Sequence, residues 1–209
     1  MIQNNSLTQN EIYASIQDRI RLGQYKPGEK LSENNLAKEF NCSRTPVREA
    51  VKTLEQNGLV VIQPKSGTYV RNYSQEEIKN AIEIRAYLEA LAFTLDIEKE
   101  TDITPLKQCL DKMNEIATAP DFDLMSFGKY HFDFHATLVA ISGNDFLIEL
   151  YDKLHLNALP KIFFSPMTKE ALAKTQIEHN KILKYLENKD PAGEQFIIQH
   201  LMTRRNNYK

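Results

Sequence analysis

Four of the five histidines in this chain of 209 residues sit where their neighbours predict inward-facing helix stripes. His131 and His135 are one helical turn apart, on the stripe that also carries Phe127, Leu138 and Val139. His179 shares a face with Ile182, Leu183 and Leu186, and His200 follows Ala192 and Phe196 at intervals of four. A single such histidine is most simply a core residue with satisfied ring nitrogens. Four converging on one bundle need a partner for every buried nitrogen, and a divalent transition metal supplies that partner. Imidazole suits zinc, nickel, cobalt or iron, and zinc or nickel is the expected ion. His155, the fifth histidine, has no such company and is expected to be structural. Phe127, Phe132, Phe134, Phe163 and Phe164 are expected to be core or dimer contacts.

A second set of residues points to different chemistry. Ser43, Arg44, Thr45 and Arg48 open a helix, with Ser43 positioned to accept a backbone N–H of the first turn and Pro46 tolerated near a helix start. Arg44 and Arg48, four apart, project from one side of the first turns. Arginines placed there can reach base edges and phosphates in a major groove. On a solvated surface helix the same two charges would have no such task.

The surrounding elements favour the first alternative. Leu31 to Phe40 reads as a short helix with apolar residues at 31, 36, 37 and 40, and only Asn41 to Ser43 separate it from the second. Val47, Val51 and Leu54 supply the stripe that turns the second helix inward, which makes a helix-turn-helix. Leu7 to Leu22 predicts a helix in front, ended by Gly23. Behind come two β-runs, Leu59 to Ile62 and Thr68 to Arg71, around a tight turn: a hairpin, or wing, with Lys65, Ser66, Gly67 and Thr68 at its tip. From residue 74 the helical period takes over, with helices predicted over 74–97, 102–117, 121–141, 144–160, 168–188 and 191–206. Breaks fall at Asp102, Pro120, Ser142-Gly143-Asn144, Ser165-Pro166 and Asp190-Pro191. The expected fold is mainly α: a winged helix-turn-helix over 1–73, then an all-helical bundle over 74–209, joined by a short linker from about Arg71 to Ser74.

Composition fits a globular chain, 42% hydrophobic and 26% charged. No apolar run approaches the roughly 18 residues of a membrane span, and the N-terminus lacks a signal-peptide pattern, so a cytoplasmic location without membrane attachment is expected. Cys42 and Cys109 lie in different predicted domains and support neither a disulfide framework nor a zinc finger. The net charge of −2 is uneven: residues 1–73 hold 10 Lys+Arg against 7 Asp+Glu, and residues 74–209 hold 16 against 21. An excess of three is modest, so the placement of the arginines carries more weight than their number.

The stretches Lys26-Pro27-Gly28-Glu29-Lys30-Leu31-Ser32-Glu33, Leu36-Ala37, Ser43 to Ala50 and Gly58-Leu59-Val60 resemble the GntR family of bacterial winged-helix transcription regulators. The resemblance implies that Arg44, Thr45 and Arg48 contact an operator and that the wing from Lys65 to Thr68 touches it too. Asn34 stands where the family often has arginine. The later segments Glu83 to Ala92, Phe134-His135, Ser142-Gly143-Asn144 and Glu178-His179 resemble the FCD effector domain of the FadR-like branch, in its shorter six-helix, VanR-type variety, over about 74–206.

Many FCD domains hold a metal through an aspartate four residues before the first histidine and two further histidines in the last two helices. The aspartate position is His131 here. The resemblance therefore implies four neutral ligands, His131, His135, His179 and His200, around an ion whose charge can attract an anionic effector. Asp133 does not replace the missing acid, because a two-residue offset turns it about 200° around the helix. His200 falls 21 residues after His179, one fewer than the family leads us to expect, and a helix restarting after Asp190-Pro191 restores the register. Arg85 is implied as a carboxylate-binding residue of the effector pocket; an exposed ion pair with Glu89 is the other reading of that side chain.

These readings describe a non-enzymatic, homodimeric regulator, expected as a repressor. It would bind a palindromic double-stranded operator under the control of a small organic acid. A metal-responsive regulator, with the ion itself as effector, is the alternative. A metal-dependent enzyme is disfavoured, because no general base stands at a fixed spacing beside the histidines and Glu178, next to His179, should point off the ligand face.

Overall fold

A computed structural model of the chain describes residues 7–154 and 169–207. His155, Phe163 and Phe164 lie outside the described residues. The chain divides into two compact units, with the boundary between Tyr73 and Ser74.

The first unit runs α1 (Gln9–Arg21), β1 (Lys30–Leu31), α2 (Glu33–Glu39), α3 (Arg44–Gln56), β2 (Val60–Gln63) and β3 (Gly67–Val70). Thr8 and Glu11 form a capping box at the start of α1, and Ile12, Ile16 and Ile20 give it a buried stripe. Ser32 caps α2 by accepting the Asn35 N–H. The turn into α3 is only three residues long because Asn41 takes a left-handed conformation, φ 49°, which asparagine tolerates better than most side chains. α3 then buries Val47, Ala50, Val51 and Leu54 in a core shared with α1 and α2.

The sheet is antiparallel in the order β1-β3-β2, with Leu31 opposite Thr68 and Val60 opposite Val70. The hairpin is the one expected. β1 is an addition to it, and two residues are too few to display a strand period.

The second unit has six helices among the described residues: α4 (Gln75–Glu98), α5 (Thr104–Thr118), α6 (Leu124–Ile141), α7 (Asp145–Lys153), α8 (Lys169–Glu187) and α9 (Ala192–Asn207). The helix expected over 144–160 is described through Lys153. Ser74 and Glu77 make a capping box on α4, and the Asn144 side chain accepts the Leu147 N–H at the start of α7. α4 packs along α9 and α6, and α5 packs along α6 and α8. Gly193 lets α9 approach closely, since a Cβ there would collide with the Phe93 ring and the Tyr185 Cβ. The buried stripe of α9 is Gly193, Ile197, His200 and Leu201; Ala192, expected on that stripe, is exposed.

The architecture is thus mainly helical, a winged helix-turn-helix followed by a helical bundle. No described helix is long and apolar enough to cross a membrane.

Candidate functional site

Ser43 occupies the N-cap of α3 in extended conformation, but its side chain makes no capping hydrogen bond. The expectation that it accepts a first-turn N–H is corrected by the sequence itself. An N-cap hydroxyl serves the second or third helical N–H, and the third residue here is Pro46, which has none. Ser43, Arg44, Thr45 and Arg48 are all exposed on the side of α3 opposite its buried stripe. Glu33 of α2 stands between the two guanidinium groups, its Oε2 lying 3.5 Å from Arg48 Nε and 3.9 Å from Arg44 Nη2. Exposed pairs of this length contribute about 0–1 kcal/mol, so both arginines can exchange Glu33 for another anion at little cost.

At the wing tip Lys65 is exposed with φ 63°, and Ser66 is exposed with its Oγ 2.7 Å from the Tyr69 hydroxyl. Gly67 is half-buried with φ 128°, a backbone conformation that suits glycine. Thr68 departs from the expectation. It is only 5% exposed, because strand alternation places it with Val70 on the inner face of the sheet, so its side chain is withdrawn from the tip.

In the second unit, α6 supplies His131 and His135, α8 supplies His179 and α9 supplies His200, each at most 4% exposed. The ring centroids of His131, His135 and His179 are 4.8–4.9 Å apart, and one nitrogen from each lies within 4.8 Å of the other two. The His200 ring is 5.1 Å from His179 and 5.6 Å from His135, beside this trio rather than within it. The shorter spacing from His179 has therefore not rotated His200 out of the bundle.

The outer nitrogens define the tautomers. His135 Nδ1 is 2.6 Å from Glu89 Oε2, and His200 Nδ1 is 2.8 Å from Glu178 Oε2. An ionised carboxylate only accepts, so both Nδ1 atoms carry the proton and both Nε2 atoms keep a lone pair. His135 Nε2 lies 3.0 Å from His179 Nε2, while His200 Nε2 is buried with no hydrogen-bond partner among the described residues. Burial holds all four imidazoles well below their ordinary pKa; the nearby Arg204 adds to the effect in all four, and Arg85 in His131, His135 and His200.

Neutral imidazoles with inward lone pairs, one of them unsatisfied, fit a divalent transition metal. Nitrogens of a tetrahedral site at about 2.0–2.1 Å from the ion stand about 3.4 Å apart, so the trio, now within 4.8 Å of one another, would close by roughly an ångström to hold one.

Glu89 anchors this cluster to its surroundings. It is fully buried on α4, and its Oε1 accepts from Arg85 Nε at 2.5 Å and from the Tyr151 hydroxyl at 2.8 Å. The Arg85–Glu89 pair proposed as exposed is thus formed but enclosed, with Arg85 only 1% exposed. Burial works against the Arg85 charge, and Glu89 together with Tyr151 outweighs it and raises the Arg85 pKa. Burial drives the Tyr151 pKa well up, keeping that hydroxyl a donor.

The sequence reading missed Glu89, Glu178 and Arg204 as parts of the site. Glu178 was expected off the ligand face, yet it reaches across to α9 and meets the outer nitrogen of His200. Arg204 Nη2 donates to Thr175 Oγ1 at 2.9 Å, and burial, with Arg85 repelling it, pushes the Arg204 pKa down to about 10. Spacing could have found two of the three: Glu89 is one turn after Arg85, and Arg204 one turn after His200.

Comparisons with known proteins agree with this architecture. Residues 8–70 match the family described as bacterial regulatory proteins, gntR family, and residues 80–204 match the FCD domain. The chain is 30% identical over 199 residues to the HTH-type transcriptional regulator YdhC of Bacillus subtilis, covering 91% of this chain and 86% of that protein. It is 26% identical over 208 residues to the HTH-type transcriptional repressor GlaR of Escherichia coli, covering 95% and 94%. Among solved structures, a GntR transcriptional regulator from Rhodococcus sp. RHA1 superposes with a TM-score of 0.83 at 21% identity, covering 96% of both chains. E. coli McbR/YncC superposes at 0.82, also at 21% identity and covering 95% of both, so these two likenesses speak to the fold.

The chain belongs to the GntR family of bacterial regulators, in the branch that carries an FCD domain. It is accordingly a DNA-binding transcriptional regulator and not an enzyme.

The buried hub makes its own prediction. Replacing Glu89 with leucine strands the Arg85 guanidinium in the core, so urea unfolding of Glu89→Leu should show a loss of about 3–5 kcal/mol. A loss below 1 kcal/mol would mean that the pair is not buried as described.

Proposed function

We propose that the chain works as a homodimer whose two winged helices bind the halves of a palindromic operator, Arg44, Thr45 and Arg48 reading the major groove. The observation that carries this reading is the division of α3: Val47, Ala50, Val51 and Leu54 are buried while the arginines and Ser43 stand exposed at its first turn. With no capping bond to make, the Ser43 hydroxyl can serve a phosphate. Lys65 and Ser66 extend the contact from the wing, together with the Gly67 backbone. The exposed apolar stripe Ile84, Tyr87 and Leu91 on α4 supports self-association, since a two-fold operator calls for a two-fold protein.

The helical unit carries the input in this reading. His131, His135, His179 and His200 hold a divalent metal, zinc or nickel by their chemistry, and a small organic acid binds beside it. Arg85 is already neutralised by Glu89 in a direct ion pair, which makes Arg204, hydrogen-bonded to the Thr175 hydroxyl, the better placed cation for the acid's carboxylate. Repression relieved by the acid is the simplest form of control, and it requires the acid to bind the DNA-competent conformation more weakly than the other.

Operator duplexes selected from a random-sequence pool test the output. At fixed salt, Arg44→Ala and Arg48→Ala should each weaken binding by about 1–3 kcal/mol, with two chains bound per operator. Unchanged affinity would remove the base-reading role, and one chain per operator would remove the dimer. A melting-temperature screen of small organic acids tests the input: an acid that raises Tm in the parent protein should raise it less in Arg204→Met. An equal shift in both proteins would exclude Arg204 as the contact.

A further inference from the structure

Two acidic side chains meet the histidine cluster from outside, on elements that contribute no more than one histidine each. Glu89 comes from α4 and holds His135 Nδ1, while Glu178 comes from α8 and holds His200 Nδ1 on α9. Each contact fixes which nitrogen is protonated and how the ring is turned, and each leaves Nε2 unprotonated. The two pairs also answer a charge problem peculiar to this sequence. With His131 at the first ligand position, all four imidazoles are neutral, and a divalent ion among them would have no anion in direct contact.

We propose that Glu89 and Glu178 are the positioning residues of this centre, orienting His135 and His200 toward a divalent transition metal and supplying the negative charge that the imidazoles lack. The inference rests on the metal reading above and deepens it. Glu89 shares its charge with Arg85 at 2.5 Å, while Glu178 faces the charge of Arg204 and, 3.8 Å away, the largely exposed Lys174. Glu178 also brings His200 into the account. Its ring stands beside the trio, and the Glu178 bond holds its unsatisfied Nε2 ready as a fourth donor. The resulting donor set, imidazole alone, favours zinc, nickel or cobalt over magnesium or manganese.

Glu178 is the residue to change, because it is partly exposed; its charge also supports that of Arg204, so the stability of the metal-free protein is read beside the affinity. Full-length protein stripped with chelator is titrated with zinc against a chromophoric competitor, and with cobalt(II) followed by its visible spectrum. The parent should bind one zinc per chain. Glu178→Leu should bind about 10–100-fold more weakly, with an altered cobalt spectrum and a loss that exceeds any fall in the melting temperature of the metal-free protein. Glu178→Gln should fall between the two, since its carbonyl still accepts the Nδ1–H but brings no charge. His200→Ala combined with Glu178→Leu should lose little more than His200→Ala alone, because the carboxylate acts through that ring.

Zinc affinity of Glu178→Leu within twofold of the parent, or losses that add fully in the double variant, would overturn the positioning role. A weakened affinity that merely tracks a lower melting temperature of the metal-free protein would also overturn it. A parent chain that binds no zinc or cobalt would instead remove the metal reading itself, and this proposal with it.

Discussion

One buried carboxylate ties the helical unit together. Glu89 accepts from Arg85 on its own helix, from Tyr151 on α7 and, through its other oxygen, from His135 on α6. Taking two charges out of water costs several kcal/mol per ion, and such a pair is kept in a core only when its remaining hydrogen-bonding positions are filled. Here they are filled by groups from three helices, which fixes how α4, α6 and α7 face one another. The same carboxylate decides the tautomer of His135, and through it the direction of the lone pair at the middle of the cluster. A core contact and the contact that orients this ring are therefore one interaction.

The first unit is built on the opposite principle, with its charges kept at the surface. α3 is held by a continuous apolar stripe, and its first turn is free of the capping bond that would occupy Ser43, because Pro46 removes the N–H. Among the described residues the acid beside Arg44 and Arg48 is Glu33, at distances where an exposed ion pair contributes little. A surface organised this way loses little when an outside polyanion replaces the internal acid. The arginines are placed without being committed.

How far the sequence made this legible differs between the two units. In the first, the information is local: a short turn, an apolar stripe and two arginines one turn apart are enough to read α2, α3 and the face they present. The failures there were also local. Thr68 looked like a tip residue until strand alternation turned it inward, and β1 was too short to carry a pattern. In the second unit, helical periodicity pointed all four cluster histidines inward, but the groups holding their outer nitrogens come from neighbouring helices. Glu178 adjoins His179 in sequence yet serves His200, a contact set by how α8 and α9 pack rather than by any spacing. A pair of Arg85 with Glu89 was one of two readings of Arg85 and was placed at the surface, because α4 has apolar neighbours on several sides of its circumference.

The central claim is that this regulator's helical unit holds a metal through imidazole nitrogens. X-ray absorption at the metal edge, on full-length protein purified without chelator and assayed for metal content, tests it most directly. The account predicts one first-row transition ion per chain, with a nitrogen shell at about 2.0–2.1 Å and the outer-shell scattering of several imidazoles. Protein that stays metal-free after incubation with zinc or nickel, or an ion held by sulfur at about 2.3 Å, would contradict it.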